Sequence, residues 1–430
     1  MKKLFLLLVI MGLCTQLYAQ LEEQEEYTAF LEQALEAVRD YDENEFTANM
    51  KYFSTAIERE KITPEILTEE NYALYSECLF EATLKEYKLP NNPQVKQFVE
   101  YGIEKSPDNL ALLGRIYEQE KDYEKAKYWY GKAVEKDISM AMNNLGNMYV
   151  RGLGGQDYAK AKQWFEKAIE KDSPEAMNNL GFIYLYGLGV PQDFNKAKQW
   201  FEKAVEKNSP EAMNNLGFMY LYGLGVQDYA KAKQWFERAV KKGYTDAMTH
   251  LGIIYINGLG VPQDFAKAKQ WYEKAADKGN STAMCSLGVI YQNEQDYEKA
   301  KQWYEKAAGK EFPEAMYDLG LLYMNGIGTS QDYVKATEWL TKAAEKDFSD
   351  AMSLLGLIYD QGMGVPRDPA KAEYWLEKST GGSAEEMYTL GIMYQEGQGL
   401  TQDDDKAKKW FRKSCDAGFE TACQSYDALK

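Results

Sequence analysis

The stretch Pro174 to Asn208, PEAMNNLGFIYLYGLGVPQDFNKAKQWFEKAVEKN, decides the fold. Its first half sets Ala176, Leu180 and Tyr184 at four-residue spacing, which makes one stripe of an α-helix. Gly187 suits the left-handed end of that helix, Gly189 a tight turn, and Pro191 cannot continue the helix before it. Asp193 suits the N-cap of a second helix, because its carboxylate can accept free backbone N–H groups. Between Asn195 and Asn208 the second helix gathers Ala197, Trp200, Phe201, Ala204 and Val205 on one side. A single hairpin cannot bury either stripe, so the stretch predicts a unit that stacks on copies of itself.

The copies are present. Nine tryptophans occur, at 129, 164, 200, 235, 271, 303, 339, 375 and 410, and a glycine leads each of them, from Gly114 to Gly391. Every Trp also has an Asp seven residues before it. The large length differences fall between Gly and Trp, where two units, led by Gly114 and Gly288, lack the glycine loop but keep that Asp. The Trp, the Tyr three residues after each leading Gly and the Ala three before each Trp are expected to form the core frame.

This pattern of Ala, Leu-Gly, Tyr, Gly-x-Gly-Val, Asp, Lys-Ala and Trp resembles the Sel-1-like repeat, a member of the tetratricopeptide-like superfamily. The resemblance implies an all-α chain: a right-handed α-α superhelix, or solenoid, of about nine helical hairpins with an acidic helical N-terminal cap. The expected division is residues 1–19 as signal peptide, 20–105 as the acidic helical region, 106–418 as nine repeats and 419–430 as a C-terminal capping helix. The signal-peptide reading rests on Lys2 and Lys3 before the apolar run Leu4 to Leu13, with Ala19 at the cleavage position. The chain is accordingly expected to be exported, to the periplasm or beyond, with no integral membrane segment.

Charge narrows the partners. The chain carries a net charge of -17, and residues 21 to 105 hold 20 Asp+Glu against 8 Lys+Arg. Such a surface does not collect phosphate backbones, so nucleic acid is not expected as a partner. His250 is the sole histidine, which leaves no histidine cluster for zinc. The Gly-x-Gly loops follow a helix rather than a strand and do not read as a nucleotide cradle. Neither cofactor nor metal is expected, and no catalytic residue is assigned.

Two cysteines stand out. Aligning the units puts Cys415 near the end of the last second helix and Cys423 at the start of the segment after it, where the two should meet and can close a disulfide. Their spacing also resembles the secreted cysteine-rich members of the family. That resemblance implies, as an alternative function, an enzyme acting on β-lactam or cell-wall ligands; no Ser-x-x-Lys motif accompanies it here. Cys78 and Cys285 read as unpaired packing residues.

The main expectation is a non-enzymatic scaffold that binds a protein or peptide in the concave groove lined by the first helices. AMNNLG occurs three times, giving the pairs Asn143–Asn144, Asn178–Asn179 and Asn214–Asn215 opposite the core stripe. Phe182, Tyr186, Phe218 and Tyr222 share that side. The asparagine pairs then give way to Thr249 and His250, while KAKQW on the second helices stays identical from Lys160 to Trp303. A row of amides offers donors and acceptors to an extended backbone, and the aromatic rings add apolar contact.

Overall fold

The structure is a computed structural model that describes residues 106–429, together with 32, 33, 36, 96, 99, 100, 102 and 103. The signal-peptide segment, Cys14, Cys78 and nearly all of the acidic region 20–105 lie outside the described residues. Among those described, 19 α-helices and no strand are found.

Two compact units divide between Gly279 and Asn280. The first contains α1 Asn109–Gln119, α2 Tyr123–Val134, α3 Ser139–Val150, α4 Tyr158–Ile169, α5 Pro174–Tyr186, α6 Phe194–Glu206, α7 Pro210–Tyr222, α8 Tyr229–Lys241, α9 Asp246–Asn257 and α10 Phe265–Asp277. The second contains α11 Ser281–Asn293, α12 Tyr297–Gly309, α13 Pro313–Asn325, α14 Tyr333–Ala344, α15 Ser349–Gln361, α16 Pro369–Ser379, α17 Ala384–Glu396, α18 Asp404–Asp416 and α19 Glu420–Ala428. Odd-numbered helices up to α17 are the first arms of hairpins and even-numbered ones the second. Within each unit the two arms of a hairpin pack on each other, and successive hairpins pack through neighbouring arms except between α16 and α17, where the contact is slight, the pattern of stacked hairpins.

Local chemistry sets the helix ends. All nine Asp residues that precede the Trp by seven act as N-caps, each accepting from the backbone N–H three residues on. That bond satisfies one of the donors a helix start leaves open. The neighbouring Lys both hydrogen-bonds to and attracts the carboxylate, and Asp122, Asp157, Asp193, Asp228 and Asp264 are held below the usual carboxylate range. At the other end of the first arm, Gly187 closes α5 with φ 67°, a conformation costly for any residue with a Cβ.

The core corrects the expected frame at the Tyr three residues after each leading Gly, buried only as Tyr323 and Tyr394 among the nine hairpins, and at the Trp. The recurrent Ala is fully buried, as at Ala161, Ala197 and Ala232. The Trp, however, is only partly buried in eight of the nine hairpins, Trp410 being the buried one. The residue after it fills the centre: Phe165, Phe201 and Phe236 are at most 1% exposed. Phe201 presses against Gly181, where a Cβ would stand 2.5 Å from the ring. The leading glycine is therefore needed for close approach between the arms of a hairpin. Trp200 lies at the seam between hairpins, with the Lys203 ammonium 3.9 Å above its ring.

In two hairpins the central ring carries a hydroxyl that finds a polar partner on the opposite arm. Tyr130 donates to Oε2 of buried Glu118 at 2.9 Å, and Glu118 also takes Arg115 and Arg151 at 3.1 and 3.0 Å. Tyr304 donates to Oε1 of Gln292 at 3.1 Å. Both hairpins are those without the glycine loop. Where the ring is Phe201 or Phe236, the residue in the place of Glu118 is buried Leu185 or Leu221.

Candidate interaction face of the first helices

Helices α3, α5, α7 and α9 lie side by side in the first unit, and the asparagines join them. Asn179 on α5 donates its amide to Oδ1 of Asn143 at 2.9 Å and to Oδ1 of Asn147 at 3.0 Å. Asn215 on α7 donates to Oδ1 of Asn178 at 2.7 Å. On α9 the same position holds His250, whose Nδ1 lies 3.1 Å from Oδ1 of Asn214. Asn144 reaches the Tyr130 hydroxyl at 3.4 Å. The first Asn of each pair, Asn143, Asn178 and Asn214, is buried, and the second is partly exposed. Much of the hydrogen-bonding capacity expected to face a ligand is thus engaged between hairpins.

The rule persists after the asparagines stop. In the second unit Asp318, at the second position of its pair, accepts from Sγ of Cys285, at the first position of the preceding hairpin, at 3.5 Å. Burial raises the Asp318 carboxyl and the Cys285 thiol, so the thiol is held protonated and serves as donor. Cys285 is free and buried, a packing residue as the sequence suggested.

The aromatic residues of the predicted face are the ones that reach solvent. Phe182 stacks on Tyr186 with centroids 5.7 Å apart, and Phe218 sits 4.5 Å from Tyr222. Tyr186 and Tyr222 are 52% and 51% exposed, so each pair presents a rigid ring edge one hairpin apart. This combination of a small polar ladder and exposed aromatics suits contact with another chain.

His250 is not set up as a base. It lies flat against Phe236 at 4.7 Å and edge-on to Phe218 at 6.0 Å, and burial lowers its pKa to about 4. The described residues contain no group of three His, Cys, Asp or Glu able to hold a metal ion. None of the described helices is long and apolar enough to cross a membrane. Cys415 and Cys423 are disulfide-bonded, with Cα atoms 4.7 Å apart, which ties α18 to α19.

The Sel1 repeat pattern matches residues 139–173, 174–209, 210–244, 245–280, 313–348, 349–380 and 387–419, more than half of the chain. The chain belongs to the Sel1 repeat family. Its two hairpins without the glycine loop match the tetratricopeptide repeat instead, at 107–135 and 281–309. Among solved structures this Sel1 repeat chain is similar to a protective antigen of uropathogenic Escherichia coli strains that displays an SLR fold. The identity is 28% over 86% of this chain and 82% of that one, with a TM-score of 0.43. It is also similar to a Sel1 repeat protein from Oxalobacter formigenes, at 26% identity over 82% and 94% of the two chains, TM-score 0.39. No curated protein sequence matches the chain. Sel1 repeat proteins are scaffolds, typically modules of protein interaction rather than enzymes.

Proposed function

We propose that this chain is an exported, non-enzymatic scaffold that binds a protein or peptide across the face formed by α3, α5, α7 and α9. The observation that carries the reading is the repeated exposed aromatic pair, Phe182 with Tyr186 and Phe218 with Tyr222, beside a polar ladder that keeps the helices in fixed register. Rings already packed on the scaffold lose little conformational freedom on binding, which favours them as anchors. Export rests on the charged and apolar pattern of the first twenty residues.

The test is retention of partners from an envelope extract by the mature chain and by a Tyr186→Ala, Tyr222→Ala variant. Both rings are more than half exposed, so the variant should melt within a degree or two of the parent. A partner retained by the parent and lost by the variant supports the face, and equal retention sinks it. Mass measurement of the secreted chain's N-terminus tests export separately, with a start near Gln20 expected.

A further inference from the structure

The four first arms of the loop-bearing part of the first unit carry no Lys or Arg: SMAMNNLGNMYV, PEAMNNLGFIYLY, PEAMNNLGFMYLY and DAMTHLGIIYIN. Their charges are all acidic, Glu175, Glu211 and Asp246, at corresponding positions of the last three arms; Glu175 and Glu211 also accept from the Ser173 and Ser209 hydroxyls. The second arms are mixed but net basic, each with three or four Lys or Arg against one or two acids. The chain therefore sorts its charge by face.

Helical geometry puts the acids on the predicted contact side. Glu175, Asn179, Phe182 and Tyr186 fall on one stripe of α5, and Glu211, Asn215, Phe218 and Tyr222 on the same stripe of α7. All eight are at least partly exposed. Cations already cover other tyrosines of this unit: the Lys196 ammonium lies 5.2 Å above Tyr184 and that of Lys231 5.4 Å above Tyr220. Among the described residues none lies over Tyr186 or Tyr222. Arg151, at the end of α3, is held by Glu118 at 3.0 Å.

We propose that this stripe docks an extended, Lys- or Arg-rich segment of another protein, which deepens the binding reading above and rests on it. The spacing fits. Adjacent packed helices stand about 10 Å apart, and a segment in the extended polyproline II conformation advances about 3.1 Å per residue with three residues per turn, so every third side chain lies on one side. A cation at every third residue thus meets one acid per hairpin. A segment lying over Asn179 and Asn215 is about 6 Å along the helix from the acids and about 10 Å from the tyrosines. Its long side chains can reach the carboxylates on one side and the ring faces on the other. The chain's own residues 21 to 105, with 20 acids to 8 bases, have the wrong sign for this face.

The experiment is a fluorescence-anisotropy titration of the mature chain with a labelled peptide of about ten residues carrying Lys at every third position. A matched peptide with Glu in place of Lys serves as control. The Lys peptide should bind, the Glu peptide should not, and the affinity should fall about tenfold or more between about 50 mM and about 300 mM salt. Glu175→Gln, Glu211→Gln and Asp246→Asn together should weaken it about tenfold. Lys198→Gln with Lys233→Gln, on the second arms, should not weaken it. If the triple variant melts early, Glu211→Gln alone gives the same reading with a loss of about threefold.

Equal binding of both peptides, or no binding of either, overturns the proposal, as does full affinity in the triple variant. A partner lost on Tyr186→Ala with Tyr222→Ala but indifferent to the acid-to-amide changes overturns the charge assignment alone. Indifference to both overturns the face itself.

Discussion

The Asn215 amide donates to Oδ1 of Asn178 at 2.7 Å, across 37 residues of sequence, and so fastens the first arm of one hairpin to that of the hairpin before it. Asn178 is 7% exposed, so loss of its partner leaves a nearly buried acceptor unmade. Such a bond contributes about 1 kcal/mol net. A double-mutant cycle on Asn178→Ala and Asn215→Ala, read by urea unfolding, should therefore give a coupling energy of about 1 kcal/mol. A coupling near zero would mean that the two amides do not hold the hairpins together.

Gly181→Ala should be far more damaging than its single methyl suggests. The new Cβ would stand 2.5 Å from the Phe201 ring, which is fully buried and has nowhere to go. Overpacking of this kind costs about 1–3 kcal/mol, against a gain of at most about 1 kcal/mol from replacing a helical glycine. Phe201→Leu should not rescue it, since in the hairpin of Gly320 a Cβ would still lie 2.7 Å from Leu340 Cγ. Thermal unfolding of the single and double variants decides the matter.

The histidine gives the first unit an acid-sensitive seam. Its folded pKa of about 4 lies below the ordinary 6.5 because burial disfavours the charged ring. The unfolded chain therefore takes up the proton first. The stability that the neutral ring permits is whole above pH 6.5 and declines as pH falls toward 4, by roughly 3 kcal/mol in all. His250→Asn restores the residue used at Asn179 and Asn215 and removes the titrating group. Urea midpoints at pH 7 and pH 4.5 should converge for that variant and separate for the parent. The lowered Asp N-caps act in a different window, losing their contribution only in more acidic solution below the usual carboxylate range.

Asp360 is the buried charge of the second unit. It is 0% exposed, its Oδ2 accepts from the Thr401 N–H at 2.7 Å, and its Oδ1 lies 3.9 Å from both Arg367 and Lys406. Removing the carboxylate leaves the Thr401 N–H unmade, while Arg367 and Lys406 still reach solvent, at a cost of about 1–3 kcal/mol. Asp360→Ala should accordingly open the 397–403 loop to proteolysis. Asp360→Asn, which can keep the Thr401 bond, should cost less. Limited proteolysis followed by mass mapping distinguishes the two.

What the sequence revealed was local. Asp193 could be read as a cap and Gly187 as a helix end because both act within four residues of themselves, and the turn of α18 into α19 brought Cys415 and Cys423 into reach for the same reason. Trp200 and Phe201 share one flank of α6, so periodicity could not say which of them meets Gly181. The asparagine pairs were visible as a pattern, but their hydrogen bonds run between repeats and depend on how closely neighbouring arms approach. Glu118 and Asp360 were missed altogether. A polar residue at a position that is Leu185 and Leu221 elsewhere was the available signal.

The ladder is also directional. Each asparagine donor of the first unit, Asn179 to Asn143 and Asn215 to Asn178, gives its proton backward, and His250 Nδ1 faces Asn214 Oδ1 at the same place, whereas in the second unit Cys285 gives its proton forward to Asp318. Hairpins of this chain are therefore not interchangeable beads. A duplicated copy of residues 174–208 finds a matching neighbour beside its own kind, whereas the same copy inserted after the hairpin of Gly320 would bring its asparagine donor against Tyr317. Growth and loss of repeats in this lineage should be confined to places where donor and acceptor remain in phase, so the order of its hairpins carries inherited information of its own.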